Sequence, residues 1–206
     1  MLRRRVPQGA VCWVDLWTSD VESSRNFYCE LFDWEAQAAS QEFGGYWMFT
    51  RDGLPGAGAM GDMGELTAND SWKIFIATTN IRNVVAVGES RGATVFVPPT
   101  AVSDLGLQAV LADPTGAAFG VWQPVNFPGF MTLNEHGTPC WFELDTRDIE
   151  GAVDFYASLF ALDTHVVAAS DAWCYTNLLA EGDEVAGVVN STQRHGEGAG
   201  AQWYVY

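Results

Sequence analysis

Residues Cys12–Phe32 read CWVDLWTSDVESSRNFYCELF, and residues Cys140–Phe160 read CWFELDTRDIEGAVDFYASLF. The second stretch is the first displaced by 128 positions (140−12) without a gap. Over Gly9–Phe32 and Gly137–Phe160, 11 of 24 positions are identical, and Val14/Phe142, Asp15/Glu143 and Val21/Ile149 are conservative pairs. A match of that density makes the chain a tandem duplication of one structural unit.

Each copy opens on a β-prone apolar run and then changes period. In a strand, successive side chains point to opposite faces. Cys12, Val14 and Leu16 therefore share one face, with Trp13, Asp15 and Trp17 on the other. The second copy divides the same way, with Cys140, Phe142 and Leu144 against Trp141, Glu143 and Asp145. A carboxylate beside tryptophan in both copies implies one face that packs a helix and one that lines a partly polar space. Asp20 and Asp148 are suited to cap the helices that follow. Helical spacing in the first helix gathers Val21, Ser24, Phe27, Tyr28, Leu31 and Phe32, with Phe27 and Tyr28 expected as its core anchors.

Strands are then expected over 46–50, 57–60, 72–77, 94–97, 108–112 and 118–122, with a helix over 81–91 capped by Asn80. The turn Asp113-Pro114-Thr115-Gly116 joins the last two strands. Val185-Ala186-Gly187 echoes Gly56-Ala57-Gly58, and Trp203–Tyr206 aligns with Trp72–Phe75. The reading is α+β: tandem βαβββ modules forming a cupped mixed sheet. It divides into a basic tail (1–8), a first module (9–124), a linker (125–136) and a second module (137–206). A full second unit is expected to run to about residue 252 (124+128), so the second module lacks its closing helix and strands.

Hydrophobic residues make up 48% of the 206 positions and charged ones 17%, the balance of a chain that folds around a core. The net charge of −16 argues against nucleic acid and anionic membranes as partners. None of the four cysteines has zinc-site or disulfide-scaffold spacing, and no apolar run reaches the ~20 residues of a membrane span. No signal peptide is read, and a cytoplasmic protein is expected.

The T-x-D…FYxxLF helix in both copies, the tandem βαβββ order and the late Asp-Pro-Thr-Gly…Trp-Gln-Pro segment (113–124) resemble the vicinal oxygen chelate superfamily of glyoxalases, bleomycin-resistance proteins and extradiol dioxygenases. The chain most resembles its two-module glyoxalase-like members that carry hydroxylase or antigen labels. The resemblance implies metal ligands from two strands, a His on the first and a Glu on the last. Counting back seven positions from the helix-capping Asp places the His on Trp13 and on Trp141. Counting seven on from Asp113 places the Glu on Gly120. Neither an indole nor a glycine holds a metal, so no metal site and no cofactor are expected. His136, His165 and His195 share no strand face with another ligand and are expected at the surface.

The resemblance further implies a cup between the two modules. Trp13, Asp15, Trp141 and Glu143 would face it, joined by Trp122. The expected role is metal-independent binding of a small, partly aromatic molecule there. The alternative is an enzyme, a lyase, isomerase or oxygenase acting on a small carbonyl or phenolic substrate. A ligand-free scaffold is the third reading. A homo-oligomer through the second module is a further expectation, since Phe155, Tyr156 and Leu159 would lose part of their cover there.

Overall fold

In a computed structural model, the structure describes residues 6–39, 43–61, 70–170, 173–190 and 200–206. The elements of the first repeat are β1 (Val11–Thr18), α1 (Val21–Phe32), β2 (Glu35–Ala38), β3 (Trp47–Arg51) and β4 (Leu54–Gly61). A second βαβββ run comes next, made of β5 (Ser71–Ala77), α2 (Ile81–Ser90), β6 (Thr94–Val102), β7 (Gly106–Ala112) and β8 (Ala118–Pro124). The repeat restarts with β9 (Phe142–Asp145), α3 (Ile149–Phe160), β10 (Asp163–Ala169), β11 (Cys174–Ala180), β12 (Asp183–Asn190) and β13 (Gln202–Val205).

Two mixed sheets result. The first has eight strands in the order β2-β3-β4-β1-β5-β8-β7-β6, and the second has five in the order β10-β11-β12-β9-β13. In the first sheet, β1 runs parallel to β4 and β5 parallel to β8, while β1 and β5 meet antiparallel. The eight strands are thus two βαβββ halves joined back to back along β1 and β5. The second sheet opens with the same βαβββ half, and β13 takes against β9 the antiparallel place that β5 takes against β1. The architecture is the α+β arrangement of βαβββ modules.

Local chemistry explains the elements. Asp20 accepts from Ser23 N and Asp148 from Gly151 N, satisfying helix-start donors that would otherwise be orphaned. β2 and β10 carry no sequence signal: both are edge strands whose side chains lie mostly exposed, so no apolar alternation marks them. Cys12 is buried as expected, but Cys140 is exposed because β9 begins only at Phe142.

The helices differ sharply. α3 buries Phe155, Tyr156, Leu159 and Phe160, whereas α1 buries none of its residues. Phe27 is 58% exposed and Leu31 56%, while their repeat equivalents Phe155 and Leu159 are 2% and 6% exposed. This corrects both packing expectations. Phe27 is not a core anchor, and the second repeat's helix keeps its cover. The cover comes from the other sheet: Phe119 of β8 packs on Phe155 and Tyr156, and the α2 glycine Gly88 sits against Leu159.

The stretch between the sheets is packed too. Phe130 is fully buried and stacks on Phe142 at 5.9 Å, and Trp34 Nε1 donates to Gly137 O at 2.7 Å. Of the expected basic tail, residues 1–5 lie outside the described residues, and Gln8 accepts from Thr79 Oγ1 at 2.8 Å. His136 and His165 are exposed, and His195 lies outside the described residues.

Candidate functional site

Strand alternation delivers Trp13, Asp15 and Trp17 to one face of β1, and all three line a cavity of about 210 Å³ on the first sheet. Phe75 from β5, Gln108 and Val110 from β7, and Trp122 from β8 complete walls that the loop residues Phe43, Tyr46 and Phe127 close over. No residue of α1 or α2 enters the lining, so the helices cover the other face.

The polar corner is built around one carboxylate oxygen. Asp15 Oδ1 accepts from Trp13 Nε1 at 2.8 Å and from Tyr46 Oη at 2.7 Å. The indole N–H is shared, since Trp13 Nε1 also lies 2.8 Å from Tyr46 Oη. Tyr46 can come this close only because position 58 on β4 is glycine: a Cβ there would overlap Tyr46 Oη and crowd Asp15 Oδ1. Burial pushes the Asp15 carboxyl from its ordinary 3.8 up to about 6, against the pull of the two hydrogen bonds. Tyr46 is held well above its usual range by burial and by the adjacent Asp15 charge, so it remains a donor at neutral pH. On the opposite wall, Trp122 Nε1 is tied to Phe127 O at 2.8 Å, and Phe127 meets Trp13 edge-on at 5.1 Å.

The residues at the superfamily's metal-ligand positions do not fit a metal. Trp13, Phe75 and Gly120 stand in register across β1, β5 and β8. The indole nitrogen of Trp13 is a donor already engaged by Asp15 and Tyr46. At Gly120, any side chain would run into the Phe75 ring. Among the described residues, no three His, Cys, Asp or Glu side chains come together. An aromatic wall stands where donors would be required.

Of the five residues expected to share one space, Trp13, Asp15 and Trp122 do so, and Trp141 and Glu143 do not. The cavity that brings Trp13, Asp15 and Trp122 together lies within the first sheet. The physical reason is strand pairing. β1 finds its antiparallel partner β5 inside its own unit, so the cup closes between the two βαβββ halves, while β9 pairs in a separate sheet.

Trp141 and Glu143 instead repeat the polar corner on the second sheet. Trp141 Nε1 donates to Tyr175 Oη at 2.8 Å, Tyr206 Oη lies 3.1 Å from Glu143 Oε1, and Gly187 provides the room that Gly58 provides in the first copy. Burial first, and then the Glu143 charge, push the Tyr175 hydroxyl up to about 12. Tyr46 escaped the sequence reading although a signal existed. Tyr46/Tyr175 and Gly58/Gly187 are both displaced by 129 (175−46 and 187−58), beside a Gly match already visible. Phe75, Gln108 and Phe127 carried no such mark.

No family model matches the chain. Curated relatives do. An anthracycline biosynthesis protein, DnrV, of Streptomyces peucetius is 32% identical over 209 residues, covering 93% of this chain and 76% of the relative. A protein named as a glyoxylase, CFP32, of Mycobacterium bovis is 31% identical over 213 residues, covering 99% of this chain and 78% of the relative. Among solved structures, the Mn(II)-bound glyoxalase of Novosphingobium aromaticivorans is similar with a TM-score of 0.64 at 15% identity. The match covers 90% of this chain and 62% of that one, so the chain spans less than two thirds of that structure. The halotolerant catechol dioxygenase BphC is similar with a TM-score of 0.61 at 13% identity, over 89% of this chain and 65% of that one. The duplicated βαβββ fold, these fold neighbours and relatives above 30% identity agree: the chain belongs to the vicinal oxygen chelate superfamily, among its glyoxalase-like proteins.

Proposed function

We propose that this protein binds a small, flat, partly aromatic molecule in the first-sheet cavity, without a metal. The observation that carries the reading is the lining itself: Trp13, Trp17, Phe75, Trp122 and Phe127 surround a space whose only carboxylate among the described residues is Asp15. Concave apolar sites with a few placed polar groups are where ligands bind. A dry cavity of about 150 Å³ takes benzene, so about 210 Å³ suits one to two fused rings. The aromatic residues at Trp13 and Phe75, with Gly120 beside them, support binding by stacking in place of metal coordination. We place the protein in the cytoplasm, where its four free thiols would remain reduced.

Titration of tryptophan fluorescence with a panel of one- and two-ring aromatics, in the presence of a chelator, tests the reading. Hits should weaken about tenfold or more in Trp122→Ala and stay unchanged in Trp141→Ala, which lies outside the cavity. Binding that vanishes on chelation, or that depends on Trp141 instead, would refute it. One observation favours an enzyme acting at the same site: Asp15, with a pKa of about 6, is poised to exchange a proton near neutral pH.

A further inference from the structure

We propose that the cavity selects its ligand by a hydroxyl group on the aromatic ring, which donates to Oδ2 of Asp15. This rests on the reading of the first-sheet cavity as a ligand site. Asp15 is 8% exposed, and what exposure it has faces the cavity it lines. Its two protein donors, Trp13 Nε1 and Tyr46 Oη, both end on Oδ1. Oδ2 accepts from none of the described residues. A carboxylate oxygen that opens onto an apolar cavity without a protein donor gains from a donor that a ligand brings.

Among the described residues, no cation supplies that donor. Lys73 is the direct cross-strand neighbour of Asp15 on β5. Its Nζ is turned to Ser71 Oγ at 2.8 Å and lies 5.6 Å from the Trp17 ring centroid. Tyr46 is already spent on Oδ1, and the β4 neighbour Gly58 has no side chain. Among the described residues no donor to Oδ2 remains, and a ligand in the cavity can bring one. A neutral hydroxyl loses less on leaving water than an ammonium group does, and the surrounding wall of rings offers little to a charge beyond the carboxylate itself. The ring carrying the hydroxyl then lies among Trp13, Phe75 and Trp122.

The test compares three probes by calorimetry at pH 7.5: 2-naphthol, 2-methoxynaphthalene and 1-naphthylmethylamine. A hydrogen bond to a charged acceptor among apolar walls should make 2-naphthol bind at least about tenfold tighter than its methyl ether. In Asp15→Asn, the amide oxygen can keep both bonds accepted by Oδ1 while the amide nitrogen replaces an acceptor by a donor. The preference should then fall below about threefold, with folding checked by the melting curve. Equal affinities of naphthol and ether for the native protein overturn the proposal and leave the cavity reading standing. Tighter binding of the amine overturns the hydroxyl class. If none of the three binds, both the proposal and the cavity reading fail. Should Asp15→Asn not fold, the native protein's ratio alone decides.

Discussion

A methyl group at position 58 would occupy the space held by the Tyr46 hydroxyl. Gly58→Ala is therefore expected to push Tyr46 off Asp15, weaken binding in the first cavity and cost about 1–3 kcal/mol of stability. Gly187→Ala makes the same clash with Tyr175 on the other sheet and should leave that binding intact. Fluorescence titration and melting of the two variants side by side check the pair. Asp15 gives a prediction in pH. A carboxyl whose folded pKa lies above its unfolded one holds its proton more tightly when folded. Its penalty on stability is thus absent below about 3.8, grows as the pH rises, and is complete above about 6. Removing the charge with Asp15→Asn should therefore stabilise the protein at pH 8 relative to pH 4, by about 3 kcal/mol at most. Parallel melting-temperature profiles for the two proteins would contradict this.

At the scale of the element, the two copies of one helix show how little a sequence pattern says about cover. Phe27 and Phe155 occupy the same repeat position, and only Phe155 meets another layer, against Phe119. Phe155→Ala should cost about 3–5 kcal/mol in chemical denaturation, and Phe27→Ala no more than about 0.5 kcal/mol. The same helices end alike, with Asp33 and Ala161 in the left-handed region at φ 57°. Asp tolerates that region and alanine does not, so Ala161→Gly is expected to raise stability by roughly 1 kcal/mol, visible as a higher denaturation midpoint.

The whole molecule is tied together at Tyr156. From α3 it donates to Asp113 Oδ2 at 2.9 Å and accepts from Trp203 Nε1 of β13 at 3.0 Å. Asp113 in turn holds the β7–β8 turn through its other oxygen, which accepts from Thr115 N, Thr115 Oγ1 and Ala117 N. One buried phenol thus links a turn of the first sheet to a helix and a strand of the second repeat. Burial and the Asp113 charge keep its proton in place. Tyr156→Phe strands a buried acceptor and a buried donor, an expected loss of about 1–3 kcal/mol in denaturant titration. A change within about 0.3 kcal/mol would show that the bridge does not hold the sheets together.

The amino-acid sequence by itself determined the duplication, the βαβββ order, both acid-capped helices and the face of β1 on which Trp13 and Asp15 stand. Each of these is local: periodicity, capping and repetition act over a few residues and leave their mark in the order of the letters. Which layer covers which helix, and which pair of strands closes the cup, was decided only by the tertiary structure. Trp141 and Glu143 carry the same letters or their close equivalents in the same spacing as Trp13 and Asp15, yet they face a different space, because β1 pairs with β5 while β9 pairs with β13. Tyr46, Gln108 and Phe127 reach the cavity from segments far apart in sequence. Burial is a property of what packs against a face from elsewhere in the chain, and a local pattern records only that the face is apolar.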